Sequence, residues 1–144
     1  MDIERYKQQH GDILRDVGSL RELIQAGIAQ NAETIAQLIV SMSTGIKFHL
    51  AAEDAVLYPA LLRADDAATV ELSRSYQAEM QGIAAAFGDF VRKWRVGAHI
   101  AGDPEGFRGE ANAVFRALHE RIRRENQELY PAAERLQREA ITPT

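Results

Sequence analysis

Residues 47–61 read KFHLAAEDAVLYPAL, an apolar helical pattern in which His49 and Glu53 occupy positions where packing side chains belong. Four residues apart, they lie one turn apart on the same helix face, close enough for both to reach one ion. A buried carboxylate with no partner costs several kcal/mol or stays neutral through a shifted pKa, so Glu53 needs a cation. His10 shares a face with Ile13, Leu14 and Val17 and points the same way, toward a core. A second glutamate follows from an internal echo: EDAVLYP (53–59) and ENQELYP (125–131) align without a gap, which gives Glu125 the place that Glu53 holds. Imidazole and carboxylate converging among helices is ligand chemistry for iron, or for manganese or zinc.

Each residue alone has an ordinary explanation. A single histidine on an apolar face is commonly a hydrogen-bonded core residue, and His-x-x-x-Glu occurs on many solvated helices. The combination of His10, His49, Glu53 and Glu125 with a repeated Leu-Tyr-Pro carries the reading.

The elements that must position these residues are helical. Ile3, Tyr6, His10, Ile13, Val17, Leu20 and Ile24 recur three or four apart and predict a helix over about 2–28. Asn31 is the expected N-cap of a second helix through Ile35, Ile39, Met42, Ile46 and His49, which Pro59 should end or kink. Asp65 or Asp66 can cap a third helix whose face runs from Val70 to Trp94, with Trp94, Phe87 and Phe90 expected in the core. RVGAHIAGDPEG then breaks the pattern, leaving His99 in a solvated loop, and Asp103-Pro104 starts a fourth helix continuing toward Leu136. Interior glycines such as Gly18, Gly45 and Gly82 suggest close helix approach, and the terminal ITPT reads as a frayed tail. The expected architecture is all-α: one domain over 1–144, an antiparallel up-down-up-down four-helix bundle built from two similar helical hairpins.

Composition narrows the chemistry. With no cysteine among 144 residues, a metal must be held by histidine and carboxylate. A net charge of −4 and scattered basic residues give no stripe for a nucleic-acid backbone. No unbroken apolar run approaches the roughly 18–20 residues of a membrane span, and the start lacks a signal-peptide pattern, so the expectation is a cytoplasmic protein without a membrane partner.

From His10 through HLAAEDAVLYP to RRENQELYP the chain resembles the hemerythrin-like family of HHE cation-binding bundles. The resemblance implies two irons held by a histidine on the first helix, His-x-x-x-Glu on the second, histidine on the third and a histidine with an acid on the fourth. It makes His10 and His49 ligands to one iron and Glu53 and Glu125 the carboxylate bridges. This chain departs from the pattern at two places. Met80 stands where the third helix should bring histidine, and Arg121, four residues before Glu125, stands where His49 would be matched. His119 lies two residues earlier, about 200° around the helix, and is a weaker ligand candidate.

Two accounts of Arg121 stay open at this level: a residue of the surface run RIRR, or a bundle-facing guanidinium paired with Glu125 or Glu53. The first functional reading is therefore a degenerate site holding at most one iron, in oxygen, nitric oxide or iron sensing or handling. The loss of the second ligand set argues against reversible dioxygen carriage. The alternative is a metal-free module, binding a protein partner or a second copy, in which Arg121 neutralises the former ligand carboxylates. No nucleophile triad or nucleotide fingerprint supports catalysis without a metal. Tyr58 and Tyr130 are expected to pack beside kinked helix ends.

Overall fold

A computed structural model describes residues 1–141; of the expected frayed tail ITPT, Ile141 ends the last helix and 142–144 lie outside the described residues. The architecture is all-helical: α1 (Ile3–Ala26), α2 (Ala32–Ala52), α3 (Tyr58–Leu62), α4 (Ala67–Trp94), α5 (Gly97–Gly102), α6 (Pro104–Arg124) and α7 (Tyr130–Ile141). Four long helices dominate, with α1 against α2 and α6, and α4 against α2 and α6.

Helix starts follow local chemistry. Asp66 accepts from Ala68 N–H at 3.0 Å, and Asp103 accepts from Gly106 N–H at 3.0 Å with Pro104 at the first helical position. Asn31 is the N-cap residue of α2, with its carbonyl accepting from Ile35 N–H at 2.8 Å, but its side chain makes no capping bond. Its amide instead donates back to the Gly27 carbonyl at 2.8 Å, closing the α1–α2 turn, where Gly27 adopts φ 134°. The stretch read as irregular contains α5, on which His99 is exposed, so glycines alone did not prevent a helical turn. Gly18, Gly45 and Gly82 would meet no atom within 4 Å if given a Cβ, so they do not mark close helix approach.

Neither Pro59 nor Pro131 ends its helix. Glu53–Leu57 and Glu125–Leu129 are π-helical, with Tyr58 N–H bonded to Glu53 C=O and Tyr130 N–H to Glu125 C=O. Proline lacks an N–H and its ring clashes with the carbonyl four residues back; a widened turn just before it lets the helix continue. The sequence echo is thus a structural one, and each π-turn opens on the glutamate that the repeat singles out.

Two apolar cores result. One holds Phe87, Phe90, Trp94, Phe107 and Phe115, as expected for the aromatic face of α4. The other holds Tyr6, Leu57, Tyr58, Tyr76, Leu129 and Tyr130. His10, His49, Glu53 and Glu125, all buried, fall between them in each helix's sequence, and buried Arg121 lies at the edge of the first core, just before Ile122. The helical stretch Ala32–Leu62 is long and apolar enough to cross a membrane by length and composition, more than its interrupted apolar runs suggested. Ile35, Ile39, Met42, Ile46, His49 and Glu53 bury its inner face in the bundle, which is the pattern of a core helix, and the stretch does not mark a membrane protein.

Candidate cation site

The helices bring His10, His49, Glu53 and Glu125 together, each offering one ligand atom and all four within 4.8 Å of one another. α1 supplies His10, the end of α2 supplies His49, and the two π-turns supply the glutamates. His10 Nε2 and His49 Nε2 are 3.1 Å apart. His10 Nε2 lies 2.9 Å from Glu125 Oε1, and His49 Nε2 lies 3.2 Å from Glu53 Oε1.

The outer nitrogens decide what those inner atoms are. His10 Nδ1 donates to Asn126 Oδ1 at 2.9 Å and His49 Nδ1 donates to Gln9 Oε1 at 2.6 Å. Amide oxygens only accept, so each ring carries a proton on Nδ1, and Nε2 is the nitrogen it turns toward the other candidate ligands. Two imidazole Nε2 atoms and two carboxylate oxygens therefore converge in a buried space. Tyr130 supplies the neighbouring proton: its OH donates to Glu53 Oε2 at 2.8 Å and lies 3.0 Å from His10 Nε2. Glu53 Oε1 is buried with no hydrogen-bond donor.

Arg121 is 1% exposed and belongs to the interior, not to the surface run that contains it. Its Nε donates to Glu125 Oε2 at 3.1 Å, and one Nη donates to Tyr58 OH at 3.0 Å and to the Tyr76 carbonyl at 2.7 Å. The guanidinium carbon stands 4.4 Å from the centre of the Tyr76 ring, a cation–π distance. Of the two cluster carboxylates Arg121 thus holds Glu125, and Glu79 Oε1 on α4 lies 3.6 Å from its other Nη. No contact joins it to Glu53.

Electrostatics around the cluster are consistent with this division. Burial alone would raise the Glu125 carboxyl, but the His10 hydrogen bond and the Arg121 charge bring it below the ordinary glutamate value. Burial, then the Glu53 and Glu125 charges, push the Tyr58 and Tyr130 hydroxyls well above the ordinary tyrosine range.

Met80 is buried beside the cluster and lines, with His10, His49, Leu118, Arg121 and Glu125, a cavity of about 10 Å³, the space of about one water molecule. α4 brings no histidine to the site. His119 is exposed on the outside of α6. Tyr58 and Tyr130, expected to pack beside kinked ends, place their hydroxyls in the polar layer, because the π-turns carry the helices onward and aim both rings inward. Gln9 and Asn126 were not singled out in the sequence; each lies one residue from a candidate ligand, His10 or Glu125, a neighbourhood that periodicity assigns to the flank.

A family model described as the Hemerythrin HHE cation binding domain matches residues 1–133. Comparison with curated proteins and with solved structures gave no match.

Proposed function

The chain belongs to the hemerythrin family of HHE cation-binding domains, and from that premise we propose that it holds one metal ion, iron, at His10, His49, Glu53 and Glu125. The observation that carries the reading is the donor set itself: two imidazole Nε2 atoms and two carboxylate oxygens turned toward one point, one of them Glu53 Oε1 without a hydrogen bond. Atoms bound to one ion at about 2.0–2.2 Å sit at most about 4.4 Å apart, so the cluster needs to close by only a few tenths of an ångström. Gln9 and Asn126 would fix the rings, and Tyr130 would hold the other Glu53 oxygen.

Arg121 supports a single ion. Its guanidinium takes the Glu125 oxygen that a bridging carboxylate would give to a second metal, and Met80 withholds a further ligand. The metal-free alternative is weaker because Arg121 compensates Glu125 and leaves Glu53 without a cation. The reading includes an antiparallel up-down-up-down bundle, supported by the meeting of early α1 with late α2 and late α6. It also includes a cytoplasmic location, where reduced iron is available.

A bound ferrous ion would supply an open coordination position for a diatomic ligand. The small cavity edged by Met80 and Leu118 supports nitric oxide or oxygen sensing over substrate turnover, since it has no room for a larger substrate. The test is anaerobic ferrous loading followed by nitric oxide, read by electron paramagnetic resonance. A spin-3/2 iron–nitrosyl signal, lost in His49→Ala, is expected; its absence from iron-loaded protein would sink the sensing role.

A further inference from the structure

We propose that the groove between α1 and α6 binds a small amphipathic organic anion, one anionic head on an apolar body. The groove has a volume of about 520 Å³, within the range of small-molecule clefts, and shares no residue with the candidate cation cluster. Its base is apolar: Val17, Leu20 and Ile24 from α1 and Phe115 from α6. Its walls are donors. Arg108, Asn112 and Arg116 follow at four-residue spacing along α6 and therefore share one face, while Arg21 and Gln25 line the opposite wall from α1.

What separates the groove from an ordinary solvated surface is the apolar floor beneath its arginines. Elsewhere Arg15 pairs with Asp12, Arg92 with Asp89, and Arg124 with Glu79. Arg21 and Arg116, like Arg63, Arg74 and Arg95, have no side-chain hydrogen-bond or ion-pair partner among the described residues, but unlike them stand on facing walls of one apolar groove. Arg108 has only a long 3.5 Å contact with Glu105, and Glu120, the acid lining the groove, is engaged by Arg123. In a chain of net charge −4, two uncompensated guanidiniums on opposite walls are a local reversal of sign over an apolar floor. Guanidinium forks recognise a carboxylate or phosphate head through paired N–H donors, and the floor takes a short alkyl chain or an aromatic ring.

The experiment uses decanoate as probe below its micelle concentration, with decyltrimethylammonium as a cation of matched chain length. Isothermal titration and amide chemical-shift mapping are run on the wild type, on Arg21→Gln/Arg116→Gln and on His49→Ala. Expected are one saturable decanoate per chain and shifts confined to 17–25 and 108–120. The double variant should bind at least about tenfold more weakly with an unchanged melting temperature, each lost charge-assisted hydrogen bond being worth about tenfold or more. His49→Ala, which disables the candidate cation site, should bind decanoate as the wild type does. No saturable binding, equal binding of the ammonium probe, undiminished binding by the double variant, or loss of binding in His49→Ala would overturn the proposal.

Discussion

Arg121 Nε donates to Glu125 Oε2 at 3.1 Å, one helical turn along the same chain, with both side chains out of solvent. A residue inside a basic surface-like run is thereby the buried counter-ion of a candidate metal ligand. It divides the polar layer into a carboxylate that is compensated and one that is not, and the first prediction tests this division.

Arg121→Met leaves Glu125 Oε2, Tyr58 OH and the Tyr76 carbonyl without their donor. In metal-free protein the loss should be about 3–5 kcal/mol by urea unfolding, the scale for stripping one partner from a buried ion pair. Arg121→Lys should recover only part of it, because an ammonium cannot reproduce the guanidinium fork that reaches three acceptors. A change in Arg121→Met below about 1 kcal/mol would show that the pair contributes little.

Glu53 should behave in the opposite way. Its Oε1 has no donor, so Glu53→Gln removes a buried charge whose only hydrogen bond is from Tyr130 to the other oxygen. Chelated protein should keep or gain stability on this change, while the rise in melting temperature that ferrous iron gives the wild type should vanish. Iron raising both melting temperatures equally would place the ion elsewhere.

If Met80 and Arg121 stand where the second ion's ligands were, restoring them has a countable result. Met80→His/Arg121→His should raise iron from one to two per chain in anaerobically loaded protein. A doubly substituted protein that folds and still takes one would contradict the degenerate-site reading.

The tyrosines give a pH test that does not depend on metal. Burial first, then the hydrogen bond to Glu128, pushes the Tyr76 hydroxyl up to about 12. Tyr6, Tyr58 and Tyr130 are also raised, burial again the largest cause. Since the folded state favours the neutral phenol, its stabilising effect is complete below the unfolded value near 10 and declines as pH rises from there toward the folded value. Absorbance at 295 nm should therefore lag the unfolded titration and then rise together with loss of helix. Phenolate formation near pH 10 in a fully folded chain would contradict the burial of these rings.

The sequence carried much of this architecture because the signals were redundant. Asp66, Asp103-Pro104 and the apolar faces of four helices specify their elements locally, and the EDAVLYP and ENQELYP echo placed Glu125 before any contact was known. What it did not carry depends on geometry between helices. Nothing local distinguishes a proline that stops a helix from one preceded by a π-turn, so the inward aim of Tyr58 and Tyr130 was hidden. That Arg121 meets Glu125 follows from their four-residue spacing; that it does not also reach Glu53 is set by how α6 packs against its neighbours. Gln9 and Asn126 look like flank residues until the ring nitrogens they orient are in place.

The most direct test of the central claim is iron per chain, by elemental analysis after anaerobic ferrous loading, in the wild type and in Glu53→Gln. One iron per wild-type chain and none in the variant is the predicted result. No iron in a fully helical wild-type chain would contradict the proposal and leave Arg121 as the only cation of the polar layer; two would contradict the single-ion site.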